Sequence, residues 1–121
     1  MAGQNEFVDY LLELLRPFGD VASRAMFGGH GIYREGLIFG IVFDDAFYLK
    51  TDAVNRGEFE ERGLGPLVYE SKSKGKSLSL GYYQCPEDAL ESAGLMRDWA
   101  NSGYAAALRA AAKKKPAKKR L

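Results

Sequence analysis

The chain has 121 residues, 46% of them hydrophobic, with seven Phe, seven Tyr and one Trp, and a formal net charge of +1. This fits one domain with enough apolar side chains for a packed core; it excludes disorder throughout, and no apolar run is long enough to span a membrane. The small net charge hides a split. Residues 113–121 hold six basic side chains and no acid, so the other eleven Lys and Arg face all 16 acids and the body carries about −5.

Residues 5–16 have the spacing of an amphipathic helix. Asn5 can cap its free N–H groups, Phe7, Leu11, Leu14 and Leu15 form one stripe, and Pro17 stops it. Phe18-Gly19-Asp20 then turns the chain into short strands. Residues 21–27 read as the first, closed by Gly28-Gly29-His30-Gly31, and Ile32-Tyr33 begins the second. After a tight turn at Arg34-Glu35-Gly36 comes the apolar run Leu37–Phe43, then a turn at Asp44-Asp45-Ala46 and a strand over 47–50. Connections this short demand antiparallel neighbours. The Leu37–Phe43 run does not alternate with polar residues, which predicts cover on both faces. Helices can supply one cover; the C-terminal segment or a second copy can supply the other, so a homodimer is expected.

Thr51-Asp52 offers a second cap for a helix over 53–62 that Gly63 ends. Residues 67–70 and 78–83 predict a hairpin around a polar loop, 71–76. In its second strand Leu78, Leu80 and Tyr82 share a face opposite Ser79, Gly81 and Tyr83. Pro86 suits a helix start, followed by the acids Glu87 and Asp88. Helices are predicted over 86–93 and 95–112, the second with Leu95, Trp99 and Ala106 near one stripe and Gly94 and Gly103 as weak points. The whole reads as α+β, an antiparallel sheet of about five strands with flanking helices. The domain is placed at 1–112 and a disordered basic tail at 113–121.

The segment Ser23-Arg24-Ala25-Met26-Phe27-Gly28-Gly29-His30-Gly31-Ile32-Tyr33, with its turn glycine Gly36 and the strand after it, resembles the signature of the TfoX (Sxy) N-terminal domain. Residues 47–52 resemble that family's next strand and helix cap. Tyr82-Tyr83, Pro86 and Trp99-Ala100 resemble its entry to the last helices. The resemblance implies a sheet with flanking helices, no cofactor, a tendency to dimerise, and a regulatory role. The best-known members help the cyclic-AMP receptor protein activate competence promoters and carry a further C-terminal domain. Arg24, Met26, Phe27, Gly28, Gly29, Gly31, Tyr33 and Lys50 are the motif positions carried over as a candidate partner surface.

No catalytic set stands out. The glycines 28–31 lead into a strand, so no helix dipole is available for a phosphate, and a hairpin or bulge is the better account. One His (His30) and one Cys (Cys85) cannot supply a structural zinc site. Cys85 at a helix start could have a lowered thiol pKa, but Glu87 and Asp88 oppose this. Asp44-Asp45 suits a turn, and Glu58, Glu60 and Glu61 lie among Arg56 and Arg62 on a solvated helix.

The remaining basic residues are candidate phosphate contacts: Lys72, Lys74 and Lys76 in the loop, and Lys113, Lys114, Lys115, Lys118, Lys119 and Arg120 in the tail. The leading expectation is a non-enzymatic, cytoplasmic regulatory domain acting through a transcription-machinery protein. The alternative is non-specific DNA contact through the tail. The least favoured reading is a small-molecule binder or enzyme using Phe39, Phe47, Tyr48, Tyr82 and Tyr83. No leader is expected before Met1-Ala2-Gly3-Gln4-Asn5-Glu6, and neither membrane, metal nor cofactor enters any of these readings.

Overall fold

The computed structural model describes residues 2–26, 28–71 and 75–114, with side chains over 6–26, 28–68 and 81–113. The elements are α1 (Ala2–Leu14), β1 (Val21–Met26), β2 (Gly29–Arg34), β3 (Leu37–Phe43), β4 (Ala46–Lys50), α2 (Arg56–Glu61), β5 (Pro66–Ser71), β6 (Gly75–Gln84), a 3-10 turn (Glu87–Glu91) and α3 (Ala93–Lys114). The strands form one sheet in the order β1-β2-β3-β4-β6-β5, every neighbour antiparallel. The α+β expectation holds, with six strands rather than about five. β2 is also longer than expected, because Gly29, His30 and Gly31 do not form a loop; they are its first half.

The first three hairpins have two-residue connections. Glu35 and Gly36 have φ of 52° and 79°, and Asp44 and Asp45 have 56° and 60°. These left-handed pairs match the twist of the strands they join, and Asp tolerates the conformation better than most residues. Between β2 and β3 the register slips after Ile32, leaving Phe39 as an extra residue in β3. This bulge sets which residues of the run share a face, and the run still presents apolar side chains on both. Phe39 and Gly40 both face the helices, and Gly40 makes room for Phe47, since a Cβ there would lie 2.6 Å from the Phe47 ring. Ile38, Ile41 and Phe43 are left on the opposite face. β6 also changes partners: residues 75–79 pair with β5, and residues 82–84 with β4.

All helices lie on one side of the sheet and share a single core. α1 contributes Val8 and Leu11, and Leu15 joins them just past its end. It starts at Ala2, so Asn5 is an interior residue instead of the cap, and it ends before Pro17 as expected. The Tyr10 hydroxyl donates to the Leu90 carbonyl, tying α1 to the 3-10 turn. Phe18 and Phe39 each meet Tyr104 edge to face at 5.8–5.9 Å and each other at a 55° tilt and 5.3 Å, with the Arg34 guanidinium 4.5 Å from the Phe18 ring centre.

α3 crosses the sheet on a stripe of Met96, Ala100, Gly103 and Ala107; of the predicted stripe, Ala106 is buried and Trp99 packs against the core, while Leu95 is exposed. Gly103 is a contact point and not a weakness, since a Cβ there would sit 3.1 Å from Leu49. Small residues let this helix lie close to β3 and β4. The helix also continues to Lys114, two residues beyond its predicted end. The Pro86 segment is a short 3-10 turn, with Pro86 as its extended cap residue. The predicted 71–76 loop contracts, because Ser71, Gly75 and Lys76 belong to strands.

Asp52 acts as a cap, though for a turn leading into α2 and not for the helix itself. Its Oδ1 accepts from the Val54 and Asn55 amides at 3.0 and 3.2 Å. Arg109 of α3 grips the same carboxylate with two bonds of 2.6 and 2.9 Å. Asn55, buried beside it, donates to the Lys50 carbonyl, the Ser102 carbonyl and the Ser102 hydroxyl. The end of β4 is thereby fixed to α3.

Candidate functional site

The face of the sheet away from the helices is bare among the described residues. Alternation from β1 to β6 brings Arg24, Met26, Tyr33, Ile38, Ile41, Phe43, Tyr48, Lys50 and Tyr82 to it. Most of them are half-buried by one another. The motif residues Arg24, Met26, Gly31 and Tyr33 are thus gathered on two adjacent strands. The Arg24 guanidinium lies 5.3 Å from the Tyr33 ring centre. Farther along the face, the Lys50 ammonium lies 5.1 Å from the Tyr82 ring centre. Each cation covers the electron-rich face of a phenol.

Burial, with a smaller contribution from Tyr33, raises the Tyr82 phenol to about 12. Burial, then the nearby Asp44, also raises Tyr48. Both phenols are therefore neutral at physiological pH and can donate hydrogen bonds. Gly31 keeps the surface flat: a Cβ there would come within 2.9–3.0 Å of Met26 Sδ, Tyr33 Cε1 and Ile38 Cδ1.

Other motif positions have different duties. Gly28 forms the β1–β2 turn at φ 79°. Gly29 is buried against the Val42 carbonyl, 2.2 Å from where its Cβ would stand. Phe27 lies outside the described residues. At the β1 end of the face, an open pocket of about 280 Å³ is lined by Asp20, Val21, Ala22, Arg24, Tyr33, Glu35 and Gly36.

The proposed basic contacts are not gathered. Lys113 is exposed near the end of α3, and Lys114 completes that helix. Lys76 is in β6 and its side chain is not described. Lys72, Lys74, Lys115, Lys118, Lys119 and Arg120 lie outside the described residues. Residues of the aromatic-pocket reading divide between two surfaces: Phe39, Phe47 and Tyr83 are core, while Tyr48 and Tyr82 are on the open face. Ile38, Ile41 and Phe43 are the members of this face that sequence reasoning missed. The available signal was the period of two, which the Phe39 bulge interrupts.

Cys85 is buried, and burial followed by the Asp88 charge pushes its thiol up to about 12, so it stays a neutral thiol. The lowering expected of a helix start does not develop. His30 is half-buried on β2, and its Nδ1 has no partner among the described residues. Those residues contain no group of three or more His, Cys, Asp or Glu placed to hold a metal ion. Glu58, Glu60 and Glu61 are exposed as expected, and the Glu60 carboxylate also accepts from the Tyr83 hydroxyl at 2.8 Å.

One helical layer behind an antiparallel sheet, with an aromatic face that the described helices leave uncovered, defines a small α+β domain. The profile of the TfoX N-terminal domain matches residues 13–107, and the chain belongs to that family. No curated protein shows significant similarity to it. No helix among the described residues is long and apolar enough to cross a membrane.

Proposed function

We propose that this chain is a non-enzymatic regulatory domain that acts in transcription by binding a protein partner on its open sheet face. The observation that carries this reading is the gathering of Arg24, Met26, Tyr33 and Lys50, positions of the family motif, on the face the helices leave bare. Neutral phenols, aliphatic side chains and two cations provide apolar area at the centre with polar anchors, the composition that recurring protein interfaces favour. The cytoplasm is the compartment this role requires. A photo-crosslinking residue at Ile41, compared with one at Glu58 on exposed α2, tests the reading in the native host. A transcription component should be captured from Ile41 alone. Equal capture from both positions, or capture of metabolic enzymes only, refutes it.

A second reading rests on the charge split between the acidic body and residues 113–121. A basic segment that neutralises four or five phosphates gives log affinity for duplex DNA a slope of about −4 against log salt. Deleting residues 113–121 should abolish such binding, and binding unchanged by the deletion ends this reading.

A further inference from the structure

The two edges of the sheet are built differently. β5 begins at Pro66, and its pairing with β6 is broken by a register shift between Pro66 and Leu67. Proline and a bulge are common guards against edge pairing. β1 has neither. Its six residues pair with β2 in unbroken register from Val21 opposite Arg34 to Met26 opposite Gly29. Its side chains are small apart from Arg24 and Met26, and Ala22, Arg24 and Ala25 are exposed. The one charge does not block the edge, because Arg24 lies over the Tyr33 ring.

Hairpin geometry fixes which groups of β1 are unsatisfied. Met26 and Gly29 close a two-residue connection, so they form a hydrogen-bonded pair, and Arg24 and Ala22 follow as residues that bond inward to β2. Val21, Ser23 and Ala25 therefore direct their N–H and C=O groups outward, away from the sheet.

We propose that β1 is a docking edge for a second copy of this chain, paired antiparallel about a twofold axis at Ser23. Residues opposite one another in antiparallel strands share a face, so a symmetric pair needs residues of equal parity opposite each other. Centring on Arg24 sets two guanidinium groups face to face, which is repulsive. Centring on Ala22 shortens the overlap. Centring on Ser23 sets Val21 opposite the partner's Ala25 and Ser23 opposite the partner's Ser23, using all three outward residues for about six backbone hydrogen bonds.

That register also places the partner's Arg24 opposite Ala22, at the mouth of the open pocket of about 280 Å³. Asp20 and Glu35 line this pocket, and neither is in an ion pair among the described residues. The pocket's own Arg24 also lines it but lies over the Tyr33 ring, so each copy offers two acids to the partner's Arg24 against one cation of its own. The paired sheet joins the two open faces into one continuous surface. This contact does not depend on the partner reading above, and it places the homodimer at an edge and not over the Leu37–Phe43 strand.

Sedimentation of the full chain, with circular dichroism to confirm folding, tests the contact. The wild type should sediment at twice its 13.4 kDa chain mass at micromolar concentration. Ser23→Pro removes only an outward N–H and should yield a folded monomer. Arg24→Glu should also yield a monomer, and adding Asp20→Arg should restore the dimer. A monomeric wild type overturns the proposal, as does a dimer that both single variants leave intact. A charge swap that fails to restore pairing overturns the assigned register.

Discussion

The glycines of the motif make different demands, and alanine at each position measures them. At Gly29 an added Cβ would stand 2.2 Å from the Val42 carbonyl oxygen, a backbone atom in the β2–β3 ladder. Relief requires β3 to move away, which stretches the pairing of Gly29 with Phe43 and of His30 with Val42. Overpacking costs about 1–3 kcal/mol and each weakened ladder bond about 1 more. Gly29→Ala should therefore destabilise by roughly 3 kcal/mol or more, lowering Tm by roughly 10–15 °C. At Gly31 the obstacles are the ends of Met26, Tyr33 and Ile38, which face an open surface and can move. Alanine there also restricts the unfolded chain, so the net loss should be under about 1 kcal/mol. Gly28 has nothing within 4 Å of its Cβ position but a φ of 79°; strain alone should cost about 1–2 kcal/mol. Urea unfolding of the three variants gives the order directly. If Gly31→Ala is the most damaging, or Gly29→Ala is neutral, the strand assignment of the motif is wrong.

Asp52 provides a pH test. The Arg109 hydrogen bonds, opposed by burial and helped by the Asn55 and Val54 amides, lower its pKa from 3.8 to about 2. Its contribution is therefore present above the unfolded pKa and is lost as pH falls through the folded one. With Arg109 38% exposed, solvent screening reduces the pair to about 1–1.5 kcal/mol. Asp52→Asn should lose that amount at pH 7 and show a flatter stability profile between about pH 4 and 2, as urea titrations would reveal. A profile identical to wild type contradicts the pairing. Cys85 should react with a thiol reagent at pH 8 at least about 100-fold more slowly in the native protein than in urea. Fast native labelling would show the thiol to be accessible and reopen a nucleophilic role.

Much of this architecture is legible in the chain because its punctuation is local. Arg34-Glu35-Gly36, Asp44-Asp45 and Pro17 act within a few residues, and the structure places a turn or a helix end at each. What escapes is set by distant neighbours. Gly29 and Gly31 look like loop residues until a carbonyl from β3 and three side chains are brought against them. The apolar run of β3 does present apolar side chains to both faces, but which residues go to which face is hidden by the Phe39 bulge until the register of β2 is known. Leu95 fits the apolar spacing of α3 beside Trp99 and Ala106, yet it lies at the first turn, where Met96 takes the buried place. The open face is half legible: Arg24, Met26, Gly31 and Tyr33 stand together in the motif, while Ile41, Phe43 and Tyr82 join them only through pairing.

The role of the open face is tested most directly by placing a charge at its centre in the native host. Ile41→Glu alters a half-exposed side chain on the face away from the core, so the protein should remain folded. Transcript profiles of this strain and of a strain lacking the gene should then change in the same way. A clear profile change in the deletion strain together with a wild-type profile in the Ile41→Glu strain would contradict a regulatory partner on this face.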